Sequence, residues 1–168
     1  MKFIVLFILI LFAFSGCSKD ADSNPVNSEK NATGFVRGDI NGSGWYSNSI
    51  TTSKSGNTRT VKAKQDLPND PTYSSSVLEF SISVNQNGIF GIGEDEPGFT
   101  YVVKAYYTLI SRSGTDDTFY KAYFDNISYL NISRITDKDL GAAFNFTART
   151  DDSLKTIVFT NGSIQINY

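Results

Sequence analysis

Two stretches in which apolar and polar residues strictly alternate limit what this chain can fold into. Segment 78–84 has leucine, phenylalanine, isoleucine and valine at every second position, with glutamate and serines between them. Segment 142–149 repeats the pattern with Ala142, Phe144, Phe146 and Ala148. Because successive side chains of a strand point to opposite faces, each segment predicts a strand with one apolar face and one polar face. Such strands are typical of antiparallel sheets.

Shorter runs with strand-like composition continue to the end of the chain, separated by turn sequences rich in Gly, Asn, Asp, Pro and Ser. We expect further strands at 34–40, 45–51, 59–64, 99–110, 118–124 and 128–136. No long amphipathic helical pattern follows residue 16. Roughly nine or ten strands with close, even spacing predict an all-β domain. We predict an antiparallel β-sandwich, with an up-and-down lipocalin-like barrel as the alternative.

The pair Asn161-Gly162 carries the strongest local signal. An Asn-Gly pair between two alternating apolar runs is typical of a two-residue type I′ turn, because both turn positions need positive φ. We therefore expect a hairpin of strands 156–160 and 163–168. This hairpin would place Phe159 opposite Ile164 on one face of the sheet.

The beginning of the chain predicts a secretion signal. Lys2 precedes an apolar run from Phe3 to Phe14, and small residues lead into Cys17, the only cysteine. The run is shorter than the roughly 20 residues that span a membrane. A short apolar run that ends in small residues before a lone cysteine resembles the lipobox of bacterial lipoproteins. We predict a signal peptide over 1–16 and lipid on Cys17, with an uncleaved membrane anchor as the alternative.

Residues 17–33 are rich in Ser, Asn, Asp and Glu. They have little to bury, so we expect a flexible tether with a reach of roughly 20 Å, followed by a single all-β domain over 34–168. Ser18 directly after the cysteine resembles an outer-membrane sorting pattern, and Lys19 followed by acidic residues resembles a surface-export signal. We therefore expect a lipid-anchored protein of the outer membrane that faces either the periplasm or the cell surface.

The side-chain inventory excludes several classes of function. The chain has no histidine, and the predicted lipid occupies its one thiol. Zinc sites built from His and Cys, thiol proteases and Ser-His-Asp hydrolases are therefore excluded. A net charge of -2 without a dense Lys/Arg block argues against a nucleic-acid partner. Gly88, Gly91 and Gly93 are followed by acidic residues instead of a helix, so they do not form a nucleotide loop, and we expect no cofactor.

Several of these turn and strand sequences resemble one family. They are Phe35 and segments 40–45, 98–101, 141–146 and 160–168. They are similar to the corresponding sequences of a family of Bacteroidota outer-membrane lipoproteins that carry an all-β domain of unknown function. Its members have a lipobox, a polar tether and an all-β domain ending in a Thr-Asn-Gly hairpin. The resemblance implies a location and a fold, but no activity.

Trp45 and Tyr46 are the candidate ligand-binding residues. They follow a glycine-rich turn, and an exposed aromatic ring there could stack on a sugar. Core packing is the favoured alternative for Trp45, because tryptophans usually bury most of their area.

Acidic residues cluster at 94–96, at 137 and 139, and at 151–152. Oxygen ligands of this kind suit Ca²⁺, but none of the clusters has the spacing of a calcium loop, so we expect solvated turns and no metal site. A carboxylate pair for glycoside hydrolysis is the one enzyme class that remains open. Glu79 is the only acidic residue within a strong strand, and it points away from the apolar face.

We therefore predict a non-catalytic binding or interaction module of the bacterial envelope. Its expected partners are the membrane, through lipid on Cys17, and a glycan or an envelope protein as ligand. A carboxylate-dependent glycan hydrolase is the alternative function.

Overall fold

The computed structural model describes residues 28–168. The predicted signal peptide, Cys17 and most of the predicted tether lie outside the described residues. Within 28–168 the chain forms strands and no helix, and the strands pair antiparallel in one sheet. The prediction of an all-β antiparallel fold is confirmed. No helix of the described part of the chain is long and apolar enough to cross a membrane.

The strands in chain order are β1 (Lys30–Asn31), β2 (Thr33–Ile40), β3 (Ser43–Tyr46), β4 (Ser49–Ser55), β5 (Thr58–Asp66), β6 (Tyr73–Ile82), β7 (Gly88–Gly91), β8 (Val103–Ser111), β9 (Thr118–Tyr123), β10 (Tyr129–Ile135), β11 (Asp139–Arg149) and β12 (Thr156–Asn167).

The sheet follows an up-and-down path in the order β1-β4-β5-β6-β8-β9-β11-β12-β2-β3, and β10 pairs with both β11 and β7. Neighbours along the path are mostly strands that follow one another in the chain, as short connections favour. Only Ala32 separates β1, which pairs with β4, from β2, which pairs with β12. The first strands therefore contact both ends of the path, and the sheet is curled around its core.

Alternating positions of the strands supply that core. Phe80, Phe144, Phe146 and Phe159 are fully buried, and the ring centroids of Phe80 and Phe144 lie 4.9 Å apart. Those two rings belong to β6 and β11, which are not neighbours in the sheet. Opposite parts of the curled sheet thus pack face to face, and each buried ring contributes roughly 1.5–3 kcal/mol.

The sheet begins at Lys30, earlier than the predicted domain start at residue 34. Lys30 and Asn31 pair with Thr52 and Thr51 through the backbone. Their polar side chains give no apolar alternation from which this strand could be predicted. The predicted strand 45–51 is divided between β3 and β4, and the predicted strand 99–110 begins only at Val103. Strand β7 was not predicted.

The predicted C-terminal hairpin is wrong. Strand β12 continues through Asn161-Gly162 and pairs with β11 on one side and β2 on the other. Asn161 has a φ of 53° and forms a β-bulge, in which an extra residue is accommodated within the strand. The type I′ turn lies instead at Asn41-Gly42, where φ is 50° and 81° and Ile40 pairs with Ser43. The same dipeptide therefore makes a turn at 41–42 and a bulge at 161–162.

Candidate functional site

Trp45 packs in the core. Its side chain is 3% exposed, and its Nε1 donates a hydrogen bond of 2.9 Å to the Oγ of buried Ser76. Its ring meets that of Phe159 edge-on, with the centroids 6.4 Å apart. A ring enclosed in this way does not stack on a ligand. Trp45 is therefore a core residue, as the favoured alternative predicted.

Tyr46 is 54% exposed, because it follows Trp45 in β3 and points to the opposite face. It borders a shallow depression with Arg37, Asp39 and Asn161. The Nδ2 of Asn161 already donates to the Oδ2 of Asp39 over 2.8 Å. Tyr46 is therefore an accessible aromatic ring whose polar neighbours are partly occupied with each other.

Most of the large exposed hydrophobic side chains lie elsewhere, in segments 89–102 and 119–127. Phe99, Tyr101 and Phe124 form a continuous row of rings, with centroid distances of 4.7 Å and 5.5 Å. Phe99 is 58% exposed and Phe124 51% exposed. We call Phe99, Tyr101, Phe124 and the exposed Ile89, which borders the same depression as Phe124, the aromatic face. Contiguous exposed apolar surface of this kind marks interaction sites.

Two glycines allow the rings of the aromatic face to lie close to the backbone. A Cβ at Gly91 would be 2.8 Å from a ring carbon of Phe124, and one at Gly93 would be 2.9 Å from a ring carbon of Tyr101. Real Cβ atoms do not approach carbon so closely. Gly91 and Gly93, which in the sequence only superficially suggest a nucleotide loop, are therefore the positions on which these two rings rest.

A depression of about 480 Å³ adjoins the aromatic face. Ile89, Phe124 and Tyr129 supply its apolar lining, and Asp125, Asn126 and Asn131 supply polar groups. Binding sites typically combine apolar surface with a few such polar groups.

Asp125 has a structural role in this depression. Burial raises the pKa of its carboxyl, but hydrogen bonds from Ser128, Thr147 and the Ile127 backbone outweigh that effect and hold the pKa below its usual value. Its oxygens are thus used within the turn. The exposed side chains of Asn126 and Asn131 are the polar groups best placed to meet a ligand.

Each acidic cluster considered as a source of calcium ligands has at least one carboxylate paired with a cation. The carboxylate of Asp95 lies 2.6 Å from the Nζ of Lys104. That of Asp137 lies 3.0 Å from Lys54, and that of Asp151 lies 3.0 Å from Lys121. Asp139 contacts Arg134. Among residues 28–168 no three His, Cys, Asp or Glu side chains are grouped as a metal would require.

Two glutamates approach Tyr106 on the outer side of the sheet. Burial is the main cause that raises the pKa of Tyr106, and a hydrogen bond with Glu94 and the charges of Glu94, Glu79 and Asp95 add to it. Burial also raises the pKa of Glu79, while Lys62 opposes this shift. One oxygen of Glu94 is buried without a hydrogen-bond partner. Neither glutamate lines the depression beside Tyr46 or the one beside the aromatic face.

Sequence reasoning singled out Tyr46 but missed the aromatic face. Phe99 and Tyr101 lie in a segment that was assigned to a strand, and Ile89 lies within β7, which was not predicted. The available signal was the sequence Phe124-Asp125-Asn126, in which an aromatic residue directly precedes a polar turn. No family model, no curated protein and no solved structure matches this chain.

Proposed function

We propose that this protein is a non-catalytic binding module, held at the bacterial outer membrane by lipid on Cys17, which takes a glycan on its aromatic face. The observation that carries the proposal is the exposed row of Phe99, Tyr101 and Phe124 beside a depression with free amide groups.

The chemistry of a sugar fits this surface. A pyranose ring has apolar C–H faces that stack on aromatic rings and hydroxyl groups that exchange hydrogen bonds with amides. The rings of the aromatic face are already ordered by Gly91 and Gly93. Binding therefore costs little side-chain entropy, since rigid rings lose few rotamers.

The anchor rests on the sequence. An apolar run that ends at Ser15-Gly16 before Cys17, with a polar segment behind it, supports lipidation and a position at the outer membrane. A protein that carries two or three acyl chains stays on a membrane, whereas a protein with a single acyl chain binds only marginally. Mass spectrometry of the native protein tests this part, since an unmodified thiol at Cys17 would contradict it.

A glycan array probed with the full chain, followed by titration of the strongest ligand, tests the binding site. Phe124→Ala should weaken binding about fivefold or more, because truncation of a central aromatic contact costs about 1 kcal/mol or more. Tyr46→Ala is the matched control, since Tyr46 is a comparably exposed ring outside the aromatic face.

Melting curves of both variants separate lost binding from lost folding. Loss of binding in Phe124→Ala alone supports the aromatic face. Loss in Tyr46→Ala alone would move the site to the depression beside β3, and no binding to any glycan would reject the proposal.

One observation favours the alternative, a carboxylate-dependent glycan hydrolase. Glu79, whose pKa is raised by burial, lies beside Tyr106, as does Glu94, and glycosidases act through a pair of carboxyl groups. Turnover of aryl glycosides that is abolished in both Glu79→Gln and Glu94→Gln would establish the hydrolase. We expect no turnover by the unaltered chain.

A further inference from the structure

A further cavity, which shares no lining residue with the aromatic face, lies where the β4–β5 hairpin, β1 and the end of β12 meet. It has a volume of about 240 Å³ and is bordered by Lys30, Thr52, Lys54, Arg59, Asp137 and Tyr168, among others. Its charged side chains are three cations and one carboxylate, so an anion inside it would meet a positive potential.

Arg59 is the unusual residue of this cavity. It occupies an inward-facing position of β5, where Val61 and Ala63 continue the buried face, and its side chain is only 6% exposed. A buried charge is costly unless it is paired and hydrogen-bonded. The neighbours of Arg59 therefore show whether its charge is balanced.

Those neighbours satisfy only part of the guanidinium. Its Nη1 donates to the backbone oxygen of Thr136 and to the Oη of Tyr168, both over 2.8 Å. The ring of Tyr168 lies under the guanidinium, 4.5 Å from the ring centroid to Cζ. Both hydrogen-bond acceptors are uncharged at neutral pH. One is a backbone carbonyl, and the other is a phenol whose pKa is raised by burial despite the opposing effect of Arg59.

Asp137 is the nearest carboxylate to Arg59 among the described residues. Its Oδ1 lies 4.0 Å from the Nη2 of Arg59, which is too far for a hydrogen bond, and its side chain is 87% exposed. The same oxygen lies 3.0 Å from the Nζ of Lys54. A carboxylate thus already occupies the mouth of the cavity, but on a side chain that is largely exposed to solvent.

We propose that this cavity binds a small organic acid through its carboxylate, with Arg59 and Lys54 as the counter-ions and Asp137 as the group that the ligand displaces. Arginine suits this role because its planar fork matches the two oxygens of a carboxylate. The hydroxyl of Thr52 borders the same space and is available to the rest of the ligand.

Glucuronate is the probe for the carboxylate, glucose is its neutral counterpart, and inorganic phosphate tests for general anion binding. Each is titrated into the full chain in a mild non-ionic detergent, and the guanidinium NMR signals of Arg59 are followed. We expect saturable shifts with glucuronate that weaken with added salt, and none with glucose.

Replacing Arg59 risks unfolding the sheet, so the decisive variants lie at the exposed partners. Asp137→Asn removes the competing carboxylate and should tighten glucuronate binding about threefold or more, whereas Lys54→Gln should weaken it by a similar factor. Lys64→Gln and Asp66→Asn are the matched controls. They form a similarly exposed ion pair of 3.1 Å outside the cavity and should leave binding unchanged.

Three results would overturn the proposal. If Arg59 only closes the end of the sheet, glucuronate will not bind to the unaltered chain or to Asp137→Asn. If Asp137→Asn binds no more tightly than Asp66→Asn, Asp137 does not compete with a ligand. If phosphate binds as tightly as glucuronate, the cavity is not selective for a carboxylate.

Discussion

Gly162→Ala is the most informative single substitution, because its cost differs between a bulge packed against Phe144 and the type I′ turn that the sequence predicted at Asn161-Gly162. Gly162 does not have positive φ; the left-handed residue of the bulge is Asn161. A Cβ at Gly162 would lie 2.4 Å from two ring carbons of Phe144 and 2.5 Å from its backbone oxygen. Phe144 is 1% exposed and packs against Phe80 and Phe146, so neither its ring nor its backbone has room to retreat.

The expected cost follows from that geometry. Overpacking a filled core costs about 1–3 kcal/mol, and a clash with backbone as well as ring puts Gly162→Ala near the upper end, about 3 kcal/mol. For a domain of this size the melting temperature should fall by about 10 °C. Urea titration of the full chain and thermal melting measure the two quantities.

Gly44→Ala is the matched control. Gly44 is also a strand glycine without positive φ, and a Cβ there would meet nothing within 4 Å. We expect its free energy of unfolding to stay within about 0.5 kcal/mol of the unaltered chain or to rise slightly, because alanine restricts the unfolded state. A Gly162→Ala cost of only about 1 kcal/mol, which a left-handed turn position would produce without any clash, would refute the packing argument.

Three further predictions concern stability. Truncation after Gly162 removes the buried Ile166 and the last pairings of β12 with β11 and β2. We therefore expect the truncated chain to lose cooperative urea unfolding, as monitored by circular dichroism. A sharp transition would contradict this. Ser76→Ala leaves the buried N–H of Trp45 without its acceptor, which should cost about 1–3 kcal/mol; Trp45 is the only tryptophan, so its fluorescence reports the unfolding. Glu79→Gln should stabilise the chain at neutral pH, because burial raises the pKa of Glu79 and so disfavours its ionised form in the folded state. This penalty is absent below the unfolded pKa of about 4.3, and an equal gain in stability at acid and neutral pH would exclude the mechanism.

The strands themselves could be predicted from local sequence. The alternation at 78–84 and 142–149 identified the second half of β6, most of β11, and the apolar side chains that these parts bury. The antiparallel all-β fold followed from the same alternation, since one apolar face and one polar face leave few other ways to bury the chain. The position of Trp45 in the core also followed from its size.

Sites that depend on strands meeting at a distance could not be predicted in this way. The aromatic face joins Ile89 and Phe99 to Phe124 across strands, and its rings rest on glycines of another segment. The cavity around Arg59 likewise needs Thr136, Asp137 and Tyr168, which are remote in the chain. Local sequence patterns do not indicate which remote residues will be neighbours in the fold.

Two of the three Asn-Gly pairs, at 41–42 and 161–162, show the limit of local chemistry. Asn41 and Asn161 both adopt the positive φ that the dipeptide favours, whereas Asn87 of the third pair does not. At Asn41 the chain turns back and β2 pairs with β3, whereas at Asn161 the strand has partners on both sides and continues through a bulge. The positive φ of Asn41 and Asn161 is a local preference of these residues. Whether the chain turns back or continues depends on the neighbouring strands that satisfy its backbone hydrogen bonds.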